Sequence, residues 1–323
     1  MVPKNDPGTA PMPLLAQILP ILLLILTGVA LRITQVLSDE AVEGLKTLVV
    51  TLVLPAVLFT VFLDLQFETA YWGLFALVAA ICAGLYGLGL LVRRFVTPGQ
   101  SYTPFLFTGF EYGMLGVSLF GAAYGLDAVG YIAITDLAHE LFIWFVFAPL
   151  LMIKRDGDSH PATILRMFAT SPVVIGLTAG LALGALGLGP WIRSAPVVSS
   201  AYTAATLLAA MVVPLILIIV GHGIRIRRTG LGPVLRLVAL RYALVIPLAL
   251  LLNRTVIGGW LGLGLPFQAA FFTLLILPPP FIVPLFLQHA PPDERAFVTN
   301  TLAVSTLVAL IAFAAWLAAH PTL

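Results

Sequence analysis

Asp136, His139 and Glu140 stand at positions i, i+3 and i+4 inside a long apolar stretch. On a helix that spacing puts all three on one face. A fourth ionisable residue, Glu111, lies inside the preceding apolar stretch. Sinking such a group into hydrocarbon costs about 2.5 to 3.5 kcal/mol on insertion scales, so the face should turn away from lipid and the residues become functional candidates by default. Carboxyl and imidazole groups in a low-dielectric interior can exchange protons near neutral pH. The chemistry these residues suggest is therefore ion coupling by Glu111, Asp136, His139 and Glu140. The plainer alternative is a hydrogen-bonded cluster that ties the two stretches together. An intramembrane enzyme or a receptor using the same cluster is the rival from another class. The "HE" pair at His139 and Glu140 resembles the start of a zinc-protease motif, but Ile143 stands four residues after His139 where the second His is needed. Without it the metal site is unsupported. No nucleophile and base pairing and no P-loop is found, so neither an enzyme nor a nucleotide-driven pump is expected, and no cofactor or metal is called for.

The elements that must position these residues follow from composition. Of 323 residues, 60% are hydrophobic and 9% charged, against roughly 25% charged in soluble domains. No soluble core absorbs that surplus, whereas a bilayer offers it about 30 Å of matching hydrocarbon. The net charge of +2 and the scattered basic residues argue against a nucleic-acid partner. The lone Cys82 excludes an intramolecular disulfide and reads as a packing residue. Apolar runs of about 20 residues fall at 13–33, 41–63, 71–96, 102–123, 129–153, 169–188, 199–222, 234–256, 266–288 and 297–319, which predicts ten transmembrane helices. The first run lacks a small-residue cleavage site and is expected to be retained. The longest polar connector, "KRDGDSHPATILR", suggests a first half at 1–153, a connector at 154–168 and a second half at 169–323.

Basic residues divide unevenly between the two sides. Arg32, Lys46, Arg93, Arg94, Lys154, Arg155, Arg166, Arg225, Arg227, Arg228, Arg236, Arg241 and Arg295 fall on one side, and Lys4, Arg193 and Arg254 on the other. Basic loops stay cytoplasmic, so both termini are expected outside, in a plasma membrane or bacterial inner membrane. Arg241 and Arg166, near the ends of their spans, are expected to snorkel to the interface. The halves also resemble each other. "PILLLILTGVAL" matches "PVVIGLTAGLAL" with Pro20 on Pro172 and Gly28 on Gly180; "LVLPAVLF" matches "MVVPLILI" with Pro55 on Pro214; "GVSLFGAAYG" matches "IVPLFLQHAP" with Ser118 on Pro284. The offset drifts from 152 to 159 to 166. Five spans per copy place the second copy upside down, the inverted repeat characteristic of secondary transporters.

The ninth run, "LPFQAAFFTLLILPPPFIVPLFLQH", carries Pro278, Pro279, Pro280 and Pro284. Three consecutive prolines remove donors and clash with the preceding turn, so this span must break. Its repeat partner, the fourth run, carries Gly109, Gly113, Gly116 and Gly121. Two interrupted helices at matching places point to a substrate site at the membrane midplane, because half-helix ends present partial charges there. The expected substrate-binding set is Glu111, Gly113, Gly116, Glu140, Pro278, Pro279, Pro280 and Asn300. Close helix packing is the alternative for the glycines, and helix-to-helix hydrogen bonding for Asn300, Ser305 and Thr306.

"TLVLPAVLF", "GFEYGMLGVSLFGAAYG", "ITDLAHELFIWFVF" and "VTNTLAVSTLVALIAF", in that order, resemble the auxin efflux carrier family of bacterial permeases and plant PIN-formed carriers. The resemblance covers essentially the whole chain. It implies an all-α membrane protein of two inverted five-helix repeats, with helices four and nine broken and crossing, that moves small organic anions such as dicarboxylates or auxin. The chain departs from the pattern at Glu111, where the family has Asn, at Ser118, where it has Pro, and at Glu140, where plant members place an amide. An ionised carboxylate repels an anion, so these carboxyls must be protonated when substrate is bound, or the substrate is not a simple anion. The expectation is a permease for a small organic solute, an organic acid above others, driven by alternating access with a proton, or else sodium, as coupling ion. Its partners are that solute, the ion and the lipid bilayer, and a homodimer is compatible with the sequence.

Overall fold

The computed structural model describes residues 14–65, 68–157, 160–226, 230–287 and 290–323. Residues 1–13 of the first half with Lys4, together with Arg227, Arg228 and His289, lie outside the described residues. Among the described residues there are helices and turns and no strand. In chain order the helices are α1 (Leu14–Ile33), α2 (Asp39–Phe62), α3 (Ala70–Phe95), α4 (Thr103–Phe107), α5 (Val117–Tyr124, opened by a π turn at Tyr112–Gly116), α6 (Leu126–Arg155), α7 (Pro161–Ala169), α8 (Pro172–Ala185), α9 (Gly189–Ser194), α10 (Pro196–Gly223), α11 (Leu231–Trp260), α12 (Leu265–Ile276) and α13 (Pro292–Ala319).

Local chemistry sets several boundaries. Ser38 caps α2 by accepting from the Ala41 N–H at 3.1 Å, with Asp39 and Glu40 in the first turn, where acidic groups suit the helix dipole. α6 stops at Gly157, whose φ of +81° is left-handed and costs a glycine little. Pro161, Pro172, Pro196 and Pro292 stand at helix starts, where the missing N–H is one the helix does not need. Pro161 also accounts for a difference from the sequence reading. The connector assigned to 154–168 is largely helical, since α6 runs into it from one side and α7 begins at Pro161 on the other. α7 and α8 meet at a bend of 61°.

Seven helical stretches among the described residues are long and apolar enough to cross a membrane, eight if the bent α7–α8 pair is one span. α1, described with side chains from Ile18 to Ile33, and α12 are apolar but shorter. Leu19, Leu22, Leu23 and Leu26 on α1, Leu207 on α10 and Ile311 on α13 are exposed. Apolar residues turned outward along helices of this length make the chain a multi-pass membrane protein.

Two helix pairs approach so closely that glycine is required. A Cβ on Gly28 of α1 would lie 2.0 Å from the Ile218 carbonyl oxygen of α10, and one on Gly221 would lie 2.0 Å from that of Ile25. On the other pair, Gly176, Gly180 and Gly184 of α8 face the backbone of Pro55, Phe59 and Leu63 at 2.5 to 2.7 Å, measured from the same imagined Cβ. Small residues let helix backbones touch where lipid tails leave no hydrophobic drive to bring them together. Among the described residues, Phe107, Phe110, Phe120 and Phe271, on or next to α4, α5 and α12, are fully buried.

Candidate functional site

Two helical segments are interrupted, and the interruptions meet. α4 ends at Phe107, Thr108 is extended, and Gly109 takes a φ of +71°. Helix resumes only with the π turn at Tyr112. α12 ends at Ile276, Leu277 is extended, and Pro278, Pro279 and Pro280 are non-helical, as their lost donors require. A short 3-10 turn, Val283–Phe286, follows. The Glu111 N–H donates to the Pro278 carbonyl at 2.8 Å. A Cβ on Gly109, whose positive φ already favours glycine, would lie 2.7 Å from Pro280 Cγ, while one on Gly116 would lie 2.8 Å from Leu277 Cδ1, the movable end of a side chain, so both glycines stand in close contact with the second break. Gly113 instead faces Leu54 of α2 at an ordinary 3.6 Å.

The backbone groups on each side of this junction face a side chain of opposite charge. The Glu111 carboxylate accepts from the Met114 N–H at 3.2 Å and from the Phe281 N–H, that is, from the backbone that follows each break. Opposite it, the Arg241 guanidinium donates to the carbonyls of Leu106 (2.8 Å), Gly109 (2.8 Å) and Leu277 (3.1 Å), which belong to the backbone that precedes each break. Its carbon lies 5.5 Å from the centre of the Phe110 ring. Amides left free at the start of a helix attract anions, and carbonyls left free at its end attract cations. The arrangement corrects the sequence reading of Arg241: it does not snorkel to an interface but is 1% exposed, the largest fully buried side chain. A signal existed. Arg241 follows the buried Val234, Leu237 and Val238 by seven, four and three residues, which places it on the inward stripe of α11.

α6 adds a second polar group. Asp136 Oδ1 and His139 Nδ1 are 2.7 Å apart, both residues buried. His139 Nε2 accepts from the Phe110 N–H at 2.9 Å. That bond leaves Nε2 without a proton, so Nδ1 carries the hydrogen and donates it to Asp136. The pair thereby fastens α6 to the first break. Glu140 is not part of it. Its carboxylate accepts from Trp144 Nε1 at 2.8 Å and borders a separate cavity of about 360 Å³, walled by Tyr71, Phe75, Leu137, Phe168 and Leu177.

Of the residues expected at the site, Glu111, Gly116, Pro278 and Pro280 come together at the junction, with Pro279 between the two prolines. Asp136 and His139 adjoin it, while Gly113 and Glu140 face elsewhere. Asn300 is fully buried on α13, which packs against α12 and the 3-10 turn after the break. On the same helix the Ser305 carbonyl accepts from the Tyr242 hydroxyl at 2.8 Å, and Thr306 bonds back to its own helix. Among the described residues no three His, Cys, Asp or Glu side chains are grouped to hold a metal ion. No known protein family's sequence profile matches this chain, and no curated protein matches it.

Proposed function

We propose that this protein is a secondary transporter, a permease that moves a small organic acid across a plasma or bacterial inner membrane by alternating access, with the proton as coupling ion. The observation that carries the reading is the junction: two interrupted apolar helices touch through backbone, and the groups freed by each interruption face a buried charge of opposite sign. Non-helical backbone at membrane depth is tolerated only where protein or a water-filled cavity satisfies it, and discontinuous helices of this kind form midplane substrate sites. In this reading α1, the bent α7–α8 pair and the α12 segment with the turn after it join the seven longer stretches to give ten spans in two inverted repeats.

The two tight helix pairs support the repeat. Under the sequence offsets, Gly28 corresponds to Gly180 and Ile218 to Phe59. Gly28 packs on Ile218, and Gly180 packs on Phe59. One contact is therefore the image of the other, from residues that the alignment paired without knowledge of packing. Within this reading Glu111 is the proton carrier and the junction the substrate site, in keeping with the resemblance to auxin efflux carriers. The rival enzyme reading draws nothing from His139, both of whose ring nitrogens are engaged.

The test is uptake by purified protein in proteoliposomes, screened across dicarboxylates, aromatic acids, amines and neutral solutes with imposed proton or sodium gradients. Carboxylates should accumulate under a proton gradient and cease to do so when a protonophore collapses it. Folded protein that accumulates no solute under either gradient would sink the proposal.

A further inference from the structure

We propose that Arg241 is a tethered cation: its guanidinium permanently fills the place at the junction where a sodium-coupled carrier would hold its ion, and its removal opens a site for a small monovalent cation. Transport by this protein is then independent of sodium. That last consequence rests on the transporter reading, whereas the site can be tested without transport.

The argument starts from the carbonyl groups. Where discontinuous membrane helices bind sodium, unwound backbone carbonyls and the C-terminal ends of half-helices coordinate it. Here such oxygens come from both interrupted segments, Leu106 and Gly109 from the first and Leu277 from the second. The Gly109 and Leu277 oxygens, one from each segment, meet on the same nitrogen, Nη2, and the Leu106 oxygen bonds to the adjoining Nη1, so all three gather round one planar cation. An ion and the guanidinium cannot use the same oxygens together.

Charge makes the same case. Among the described residues the hydrogen-bond and ring partners of Arg241 are neutral: three carbonyls and the Phe110 ring. Its charge is balanced by dipoles and not by an ion pair, which is how carbonyl cages hold alkali cations. Merely satisfying the three carbonyls would need only neutral donors, since an amide and a water together do that without burying a charge. A guanidinium, costlier to desolvate, fits a position whose field favours a cation. α11 delivers it from its inward stripe, and the Tyr242 hydroxyl beside it bonds to Ser305 of α13, which fixes the helix that carries it.

The experiment compares melting midpoints of purified protein in sodium, guanidinium and choline chloride at equal, sub-denaturing concentrations. Wild type should melt at the same temperature in sodium and choline. Arg241→Ala should melt lower in choline, and guanidinium or sodium should restore its midpoint saturably by roughly 5 °C or more, as expected of a ligand that binds only the folded state. The proposal is overturned if wild type is saturably stabilised by sodium, or if guanidinium and sodium do no more for Arg241→Ala than choline does. Should Arg241→Ala fail to fold, Arg241→Lys and Arg241→Met decide the matter. Lys keeps a cation and should melt well above Met, which keeps length without charge, and a Met variant as stable as Lys overturns the proposal. Uptake that is equal in sodium and choline agrees with it. Failure of all uptake, with the melting results as expected, counts against the transporter reading and leaves the tethered cation standing.

Discussion

Glu111 binds two backbone N–H groups that come from different breaks, so its protonation loosens both at once. A protonated carboxyl gives up part of its acceptor capacity, and under the proposed function the Met114 or Phe281 amide is then free for the carboxylate of a substrate. The transporter proposal thus requires proton and substrate binding to be linked, each favouring the other. Uptake by the wild type should therefore fall as external pH rises. Glu111→Gln fixes the neutral form at nearly the same volume, and its NH₂ group faces an N–H in place of an acceptor. It should fold with a stability loss of about 1–3 kcal/mol, keep equilibrium exchange, and lose both pH dependence and gradient-driven accumulation. Counterflow and gradient uptake measured across a pH series separate these outcomes. Glu140→Gln, which alters a carboxyl in the cavity beside Trp144, should keep the pH profile of the wild type. An unchanged profile in Glu111→Gln as well would place coupling elsewhere.

At the scale of the elements, close backbone contact makes a sharp prediction about the α1–α10 pair. Gly28→Ala puts a carbon 2.0 Å from the Ile218 oxygen, which a rigid helix backbone cannot yield without the pair separating. The cost should be on the order of 1–3 kcal/mol, that of overpacking. Gly87→Ala is the control, since it lies on an exposed part of α3 with nothing within 4 Å of the new carbon. That exchange should be neutral or slightly stabilising, because alanine favours helix. Thermal melts of the two variants, prepared in parallel, check both signs, and equal behaviour would mean that α1 and α10 do not pack this way. The same contacts show what was legible in the sequence. Three adjacent prolines can only break a helix, so the interruption at Pro278 to Pro280 could be read directly. Gly109 and Gly116 were legible as small residues at the partner break, although nothing in their spacing told which would face it and which, like Gly113, would face α2. Arg241 was misread because chain distance from a span end was weighed above helical face. The grouping of Asp136, His139 and Glu140 failed in part for a related reason. A shared helix face fixes direction only to within a neighbouring groove, and Glu140 turns toward Trp144 one turn further on its own helix.

For the whole molecule, charge makes the parity of the membrane crossings testable. Arg32, Arg93, Arg94, Lys154, Arg155, Arg225 and Arg295 belong to one side of the sequence topology. Arg32 bonds to the His222 and Ile224 carbonyls at the end of α10, and Lys154 to Ser101 at the start of α4. Arg193, assigned to the other side, pairs instead with Asp64 at 2.9 Å, joining α9 to the turn after α2. Removing Arg241 from the basic set, as its burial requires, leaves twelve residues against three, and the asymmetry that orients the chain survives. Seven crossings would put the termini on opposite sides, whereas ten put them on the same side. The added crossings are those of α1, the bent α7–α8 pair and the interrupted α12 segment, so parity depends on the very element that carries the junction. Reporter fusions after Gly99, Gly157 and Gly230 should read as cytoplasmic. Fusions after Phe67, which lies outside the described residues, after Ser194 and at the C-terminus should read as external. A cytoplasmic C-terminus together with an external Ser194 would mean an odd number of crossings in the second half after α9. The α12 segment would then enter and leave on one side, the second half could not be an inverted copy of the first, and the junction would lie in a re-entrant loop open to one side only.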